Sequence, residues 1–242
     1  MLEVGGRVIM NTPTEILDPR HSALVIVDMQ NDFVSANGKM AMAGNDARAI
    51  RAMVPRLQSL LAEARSRNVL CVHIQTLTLP NHVSDSDAWL YHKAKGVKST
   101  DWCLPGTWGA AFIEELIPLP EEPIVTKHRS SAFVNTTLDQ ILRSTARRTV
   151  VVAGEQTPGC IDATFRDAAY YDYYNVLVSD CVAAYRQDLH EASLLIQRAR
   201  HDVLESAEII RHWSEVAAEG SRVSQAPRAG VVGTATQYRT SK

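Results

Sequence analysis

Apolar positions along the chain fall into two alternating patterns. Ala23-Leu-Val-Ile-Val27 is an unbroken aliphatic run, the composition of a strand buried on both faces. Val69–Ile74, Pro123–Thr126, Thr149–Ala153, Val176–Ser179 and the short Val203–Leu204 repeat it. Over residues 44–67, Ile50, Met53, Val54, Leu57, Leu60 and Leu61 recur at spacings that describe one helical face. Further helices are predicted at Trp108–Ile117, stopped by Pro118 and Pro120, and at Asn135–Ser144, with Asn135 or Thr136 as N-cap. Others follow at residues 158–173, at Asp188–Arg200 with Asp188 as candidate N-cap, and near Ala207–Ala218. Residues 77–106 read as a long loop. Strands that alternate with helices predict the α/β class: a single domain built on a parallel β-sheet with helices on both faces. Residues 1–21 make an N-terminal arm or short hairpin and 22–217 the domain. Residues 218–242, rich in Gly, Ser, Ala and Arg without apolar periodicity, read as a disordered tail.

Composition narrows the function without naming it. The chain has 242 residues, 45% of them hydrophobic, and a formal net charge of -2. That balance argues against a nucleic-acid partner bound by bulk charge and against a polybasic membrane binder. Aromatic residues are too sparse, at 6%, for a base-stacking platform. The apolar runs are too short to span a bilayer. The first residues include Glu3 and lack a charged-then-apolar leader pattern, so a cytoplasmic location is expected. Cys71, Cys103, Cys160 and Cys181 form no C-x-x-C pair and read as reduced thiols. Cys71 and Cys181 belong to strand regions and are expected to be buried, and Cys103 falls in the long loop. A small-molecule substrate is the expected partner.

Three chemically capable groups follow strands. Asp28 ends the first run, Lys127 the third, and Cys160 lies just past the fourth, after Gly154-Glu-Gln-Thr-Pro-Gly159. In an open parallel sheet the C-terminal strand ends share one edge, where ligands bind, so an acid, an ammonium and a thiol can converge there. Pro158 suits a first helical turn, which places Cys160 at the positive end of a helix dipole. That position is expected to lower the thiol pKa. Each residue also has a plainer reading: a packed Cys, an Asp positioning the sheet edge, a solvated Lys.

The three segments together carry a resemblance. Ala23-Leu-Val-Ile-Val-Asp-Met-Gln-Asn-Asp-Phe33, Thr126-Lys-His-Arg-Ser-Ser-Ala-Phe133 and Val150-Val-Val-Ala-Gly-Glu-Gln-Thr-Pro-Gly-Cys-Ile161 resemble, in order and spacing, the motifs of the isochorismatase-like cysteine hydrolases. The likeness runs over roughly residues 20–215 and is strongest to amidases of the N-carbamoylsarcosine and ureidoacrylate amidohydrolase type. It implies a Rossmann-like hydrolase fold and a catalytic triad of Asp28, Lys127 and Cys160. It also implies a cis peptide between Glu155 and Gln156 and an oxyanion hole of the Gln156 and Cys160 N–H groups. The implied reaction cleaves a C–N bond of a small linear amide, ureido or N-carbamoyl compound through a thioester, releasing ammonia, with no cofactor. Homodimers or homotetramers are implied as well. Glu155 and Gln156 stand where the family usually has Ala or Val, and Pro158 and His128 also depart from its pattern.

Specificity is less legible. Phe33, Trp108 and Phe133 are candidate pocket residues, or core. Arg129 is suited to pair a substrate carboxylate, and Gln30 and Asn31 hydrogen-bond either substrate or the loop. The 77–106 loop, with Trp89, His92 and Trp102, is a candidate lid. His82, Asp85 and Asp87 do not match the family's metal-ligand pattern, so no metal is expected. Tyr170-Tyr-Asp-Tyr-Tyr174 reads as helix packing or a subunit contact, and His190 as structural. Vinyl-ether hydrolysis of isochorismate and a non-catalytic binding protein on the same fold are the alternatives.

Overall fold

The first aliphatic run forms strand β1, Ser22–Val27, with every residue buried. The computed structural model describes residues 1–95 and 99–224, with side chains as far as Val216. Helix α1 (Arg48–Ser66) buries Ile50, Met53, Val54, Leu57, Leu60, Leu61 and Ala64, the face its spacing predicts. Then come β2 (Leu70–Thr76), helix α2 (Asp87–Ala94), β3 (Ile124–Lys127) and α3 (Leu138–Ser144). The chain continues through β4 (Thr149–Glu155), α4 (Asp162–Tyr170), β5 (Tyr174–Ala183), α5 (Gln187–Arg198), β6 (Asp202–Leu204) and α6 (Ser206–Ser224). Before β1 the chain makes an antiparallel hairpin, Leu2–Val4 with Arg7–Ile9.

The six strands lie in the order β3-β2-β1-β4-β5-β6, all parallel. Alternation along β1 splits the core in two. Leu24 and Ile26 join α1 and the Ile209 and Trp213 side chains of α6, whereas Ala23, Val25 and Val27 join Leu138 of α3, Phe165 of α4 and Leu194 of α5. Both faces are therefore covered, as a parallel sheet requires. After β3 the chain crosses back to the other side of β1, and the crevice between the C-terminal ends of β1 and β4 is the usual ligand position in such a sheet.

Several element boundaries differ from expectation. Residues 77–106 include α2, none of whose residues is buried, so it has no apolar stripe to announce it. Trp108–Ile117 holds only two 3-10 turns, Trp108–Ala110 and Glu114–Leu116. Asn135 adopts φ +54 and does not cap α3, which begins at Leu138. Asp188 lies within α5 rather than at its cap, paired with Arg186. Helix α6 extends to Ser224, so the segment expected to be disordered begins as helix; residues 225–242 lie outside the described residues. Among the described residues, no helix is long and apolar enough to cross a membrane.

Candidate active site

Strand register sets the frame of the site. Val27 pairs with Gly154, and Thr76 with Lys127, so the ends of β1, β2, β3 and β4 meet at one edge. Gly154 has φ +118, and a Cβ there would run into the Val27 carbonyl, so this close approach of β4 to β1 admits only glycine. Asp28 leaves β1 with φ +56, a left-handed turn that Asp tolerates better than most residues, and its N–H donates to the Ile74 carbonyl. The peptide between Glu155 and Gln156 is cis. Thr157–Ile161 then forms a single π-type turn leading into α4, and Cys160 sits in it.

Lys127 ends β3, two strands from β1, and its four-carbon stem carries the ammonium across to the centre. There Nζ lies 2.8 Å from Asp28 Oδ2 and donates to Cys160 Sγ at 3.2 Å and to the Arg129 carbonyl at 3.1 Å. The ammonium thus meets a carboxylate, a thiol and a carbonyl in a group only 1% exposed. Thr76 Oγ1 donates to Asp28 Oδ1 at 2.8 Å, fixing the other carboxylate oxygen. Burial opposes the Lys127 charge, but Asp28 and Cys160 outweigh it and hold the amine above its usual range. Cys160 behaves contrary to expectation. Enclosure in protein raises its pKa, Lys127 opposes that rise, and Asp28, Glu155 and a hydrogen bond to Asp28 add to it. Burial, with two neighbouring carboxyl groups, thus outweighs the position at a helix start and holds the thiol above its usual range. Cys160 is partly open to solvent, whereas Cys71, Cys103 and Cys181 are buried.

A cavity of about 420 Å³ opens over these groups. Glu155, Gln156, Cys160 and Lys127 form one part of its lining, with Phe33 and Tyr185 beside them. Trp89, His92, Lys93 and Trp102, from the 77–106 segment, line it as well. Arg129 lines the wall, its guanidinium 5.0 Å from the Trp89 ring centroid and its Nη1 donating to the Ser84 and His128 carbonyls.

Four of the proposed pocket residues lie elsewhere. Gln30 is fully buried, with Nε2 donating to the Thr76 and Ala110 carbonyls and Oε1 accepting from Thr76 N–H. Asn31 donates to the Trp108 carbonyl and accepts from Ser35. Neither lines the cavity: Gln30 holds backbone groups, and Asn31 is bound to the Trp108 carbonyl and the Ser35 hydroxyl. Trp108 is half exposed and outside the cavity lining. Phe133 is core, stacked on Tyr171 at 4.9 Å and packed near Tyr173. Tyr170, by contrast, is exposed.

Other residues escaped the sequence reading. Asp32 accepts from Lys39 N–H and Cys103 N–H, tying the long segment to the turn after β1. Thr76 was signalled by the same strand-end logic as Asp28. His190, on α5, shares a 2.8 Å hydrogen bond with Thr157 in the turn that carries Cys160, a link no spacing reveals. His82 bonds Asp85 and Asp101, and Asp85 also pairs with Lys93. Among the described residues, no group of three or more His, Cys, Asp or Glu is arranged to hold a metal ion.

Comparison with known proteins follows this geometry. The isochorismatase domain model matches residues 22–208. The chain is 30% identical to ureidoacrylate amidohydrolase RutB of Enterobacter sp. (strain 638), covering 67% of this chain and 75% of that one. A cysteine hydrolase from Pseudomonas syringae pv. phaseolicola 1448A superposes with TM-score 0.71 at 25% identity, over 82% of this chain and 95% of that chain. N-carbamoylsarcosine amidase from Thermoplasma acidophilum gives TM-score 0.63 at 26% identity, over 76% and 96%.

Proposed function

The chain belongs to the isochorismatase family of hydrolases, and we propose that it is a cysteine-dependent amidohydrolase of small linear amide, ureido or N-carbamoyl compounds. The observation that carries this reading is one buried ammonium in contact with both a carboxylate and a thiol. The amidohydrolases among the similar proteins support the bond type.

Asp28 takes the proton of the neutral Cys160 thiol as sulfur attacks the carbonyl carbon. Lys127 stays charged throughout and offsets the thiolate as it forms. The Gln156 and Cys160 N–H groups receive the oxyanion, a contribution of about 3–4 kcal/mol per donor in such sites. Collapse breaks the C–N bond, and Asp28 returns its proton to the nitrogen, which leaves as ammonia. Water, deprotonated by Asp28, then cleaves the acyl–sulfur bond and restores the thiol. Arg129, fixed at the cavity wall, suits a substrate that also bears a carboxylate. Phe33 supplies apolar contact. Assembly as a homodimer or homotetramer, in the cytoplasm, belongs to the same proposal and is read by light scattering and fractionation.

The test is ammonia release from a panel of ureido acids, biuret, nicotinamide and simple amides. Turnover of one class, abolished by Cys160→Ala and by Cys160→Ser in folded protein, is the expected result. Persistent turnover in either variant refutes the mechanism. Iodoacetamide should modify Cys160 ahead of the three buried thiols, and equal, slow labelling of all four would favour a binding protein on this fold.

A further inference from the structure

One carboxyl group at the site has no part in the proposed mechanism. Glu155 is the last residue of β4, and the pairing of Val27 with Gly154 puts it beside Asp28 at the sheet edge. It is 3% exposed, it lines the cavity together with Cys160 and Lys127, and its Oε2 is buried without a hydrogen-bond partner. Lys127, the nearby cation, lies against Asp28 and donates to Cys160 and the Arg129 carbonyl instead. A buried polar atom left unpaired costs about 1–3 kcal/mol, so its retention in a ligand cavity calls for a partner from outside the chain.

We propose that Glu155 reads the ureido unit of the substrate, its side-chain oxygen accepting the N–H of the nitrogen that does not leave. The inference rests on the amidohydrolase reading above and narrows its substrate class. The carbonyl oxygen of a neutral acid is an acceptor, the complement of an N–H. A simple primary carboxamide has a single N–H edge, and the departing nitrogen uses it at Asp28. An N–CO–N unit has a second. Glu155 accepts the N–H of the retained nitrogen, and the carbonyl oxygen is left to the Gln156 and Cys160 N–H groups. Burial and the adjacent Asp28 charge hold Glu155 protonated well above the ordinary carboxylate range, while Lys127 opposes them without prevailing. The proton stays on Glu155 during turnover, so the acid reads the substrate without replacing Asp28 as base.

The experiment compares ammonia release from two substrates that differ only in NH against CH2: an N-carbamoyl amino acid and its carboxamide isostere. The full-length protein, Glu155→Gln and Glu155→Leu are assayed. The wild type is expected to favour the ureido compound in kcat/KM by about tenfold or more, the scale at which a buried hydrogen-bonding group rejects an analogue lacking its partner. Glu155→Gln, also a neutral donor and acceptor, is expected to keep that preference. Glu155→Leu is expected to erase it by lowering the ureido value by more than the isostere's, because only the ureido compound loses a partner. Preference retained in Glu155→Leu, or equal loss on both substrates in folded protein, overturns the proposal. Should Glu155→Leu fail to fold, loss of preference in folded Glu155→Gln overturns it instead. Cys160-dependent turnover of carboxamides without any ureido hydrolysis also overturns it, yet leaves the amidohydrolase reading standing. If no amide of any kind releases ammonia, that reading fails and the inference goes with it.

Discussion

The Lys127–Asp28 pair can be examined as an energetic unit. The two side chains are 1% and 0% exposed and their charges lie 2.8 Å apart. At an effective dielectric of about 20, that 2.8 Å separation gives an attraction of roughly 6 kcal/mol, set against the cost of removing both groups from water. Deleting one partner leaves the other charge buried and is expected to destabilise the fold by about 3–5 kcal/mol. Lys127→Met keeps an unbranched chain of similar bulk. Asp28→Asn keeps a residue that accepts φ +56 and can still accept from Thr76. The double variant removes both charges together and is expected to be no less stable than the worse single, with a coupling of about 2–3 kcal/mol. Urea titrations of the four proteins at pH 7 measure this directly. Additive losses, with coupling below about 0.5 kcal/mol, would show that the two groups do not sense each other in the folded state. All three variants are expected to lose ammonia release, so recovered stability without recovered activity separates packing from chemistry.

Three further outcomes follow from particular contacts. His190→Ala and Thr157→Ala each break the link from α5 to the nucleophile turn, and each is expected to lower kcat by roughly 10–100-fold with little change in KM. The double variant should be no worse than the singles, and multiplicative losses in the kinetics would rule out a shared role. Burial acts to raise the Glu122 pKa, but Arg65, the Leu119 N–H and His73 prevail and hold it at about 2, below its ordinary 4.5. A depressed carboxylate pKa stabilises the fold above the unfolded value and ceases to do so as pH falls from about 4.5 to 2. Glu122→Gln should therefore show a shallower loss of melting temperature across that window, and an unchanged slope would refute the assignment. Gly154→Ala is expected to yield little folded protein, because its methyl meets the Val27 carbonyl in the centre of the sheet; a melting temperature within a few degrees of the wild type would contradict this.

The α/β class, the face of α1 and the strand-end positions of Asp28, Lys127 and Cys160 were readable in the linear chain. Aliphatic runs and helical spacing report burial, and a strand's end marks the functional edge of a parallel sheet. Helix α2 was not readable, since it buries no face. The roles of Gln30, Asn31 and Phe133 were also out of reach. A buried amide or ring looks the same in sequence whether it faces a cavity or holds a backbone. Here Gln30 holds Thr76 and Ala110, and Phe133 stacks on Tyr171. Local position suggested a lowered Cys160 pKa, and burial of the thiol, with Asp28 and Glu155 beside it, reversed it. Sequence thus determined which groups end the strands, because pattern follows from burial. Only the folded sheet decided their protonation, their partners and the unpaired acid at the cavity, because electrostatic and hydrogen-bond energies depend on distances between residues remote along the chain.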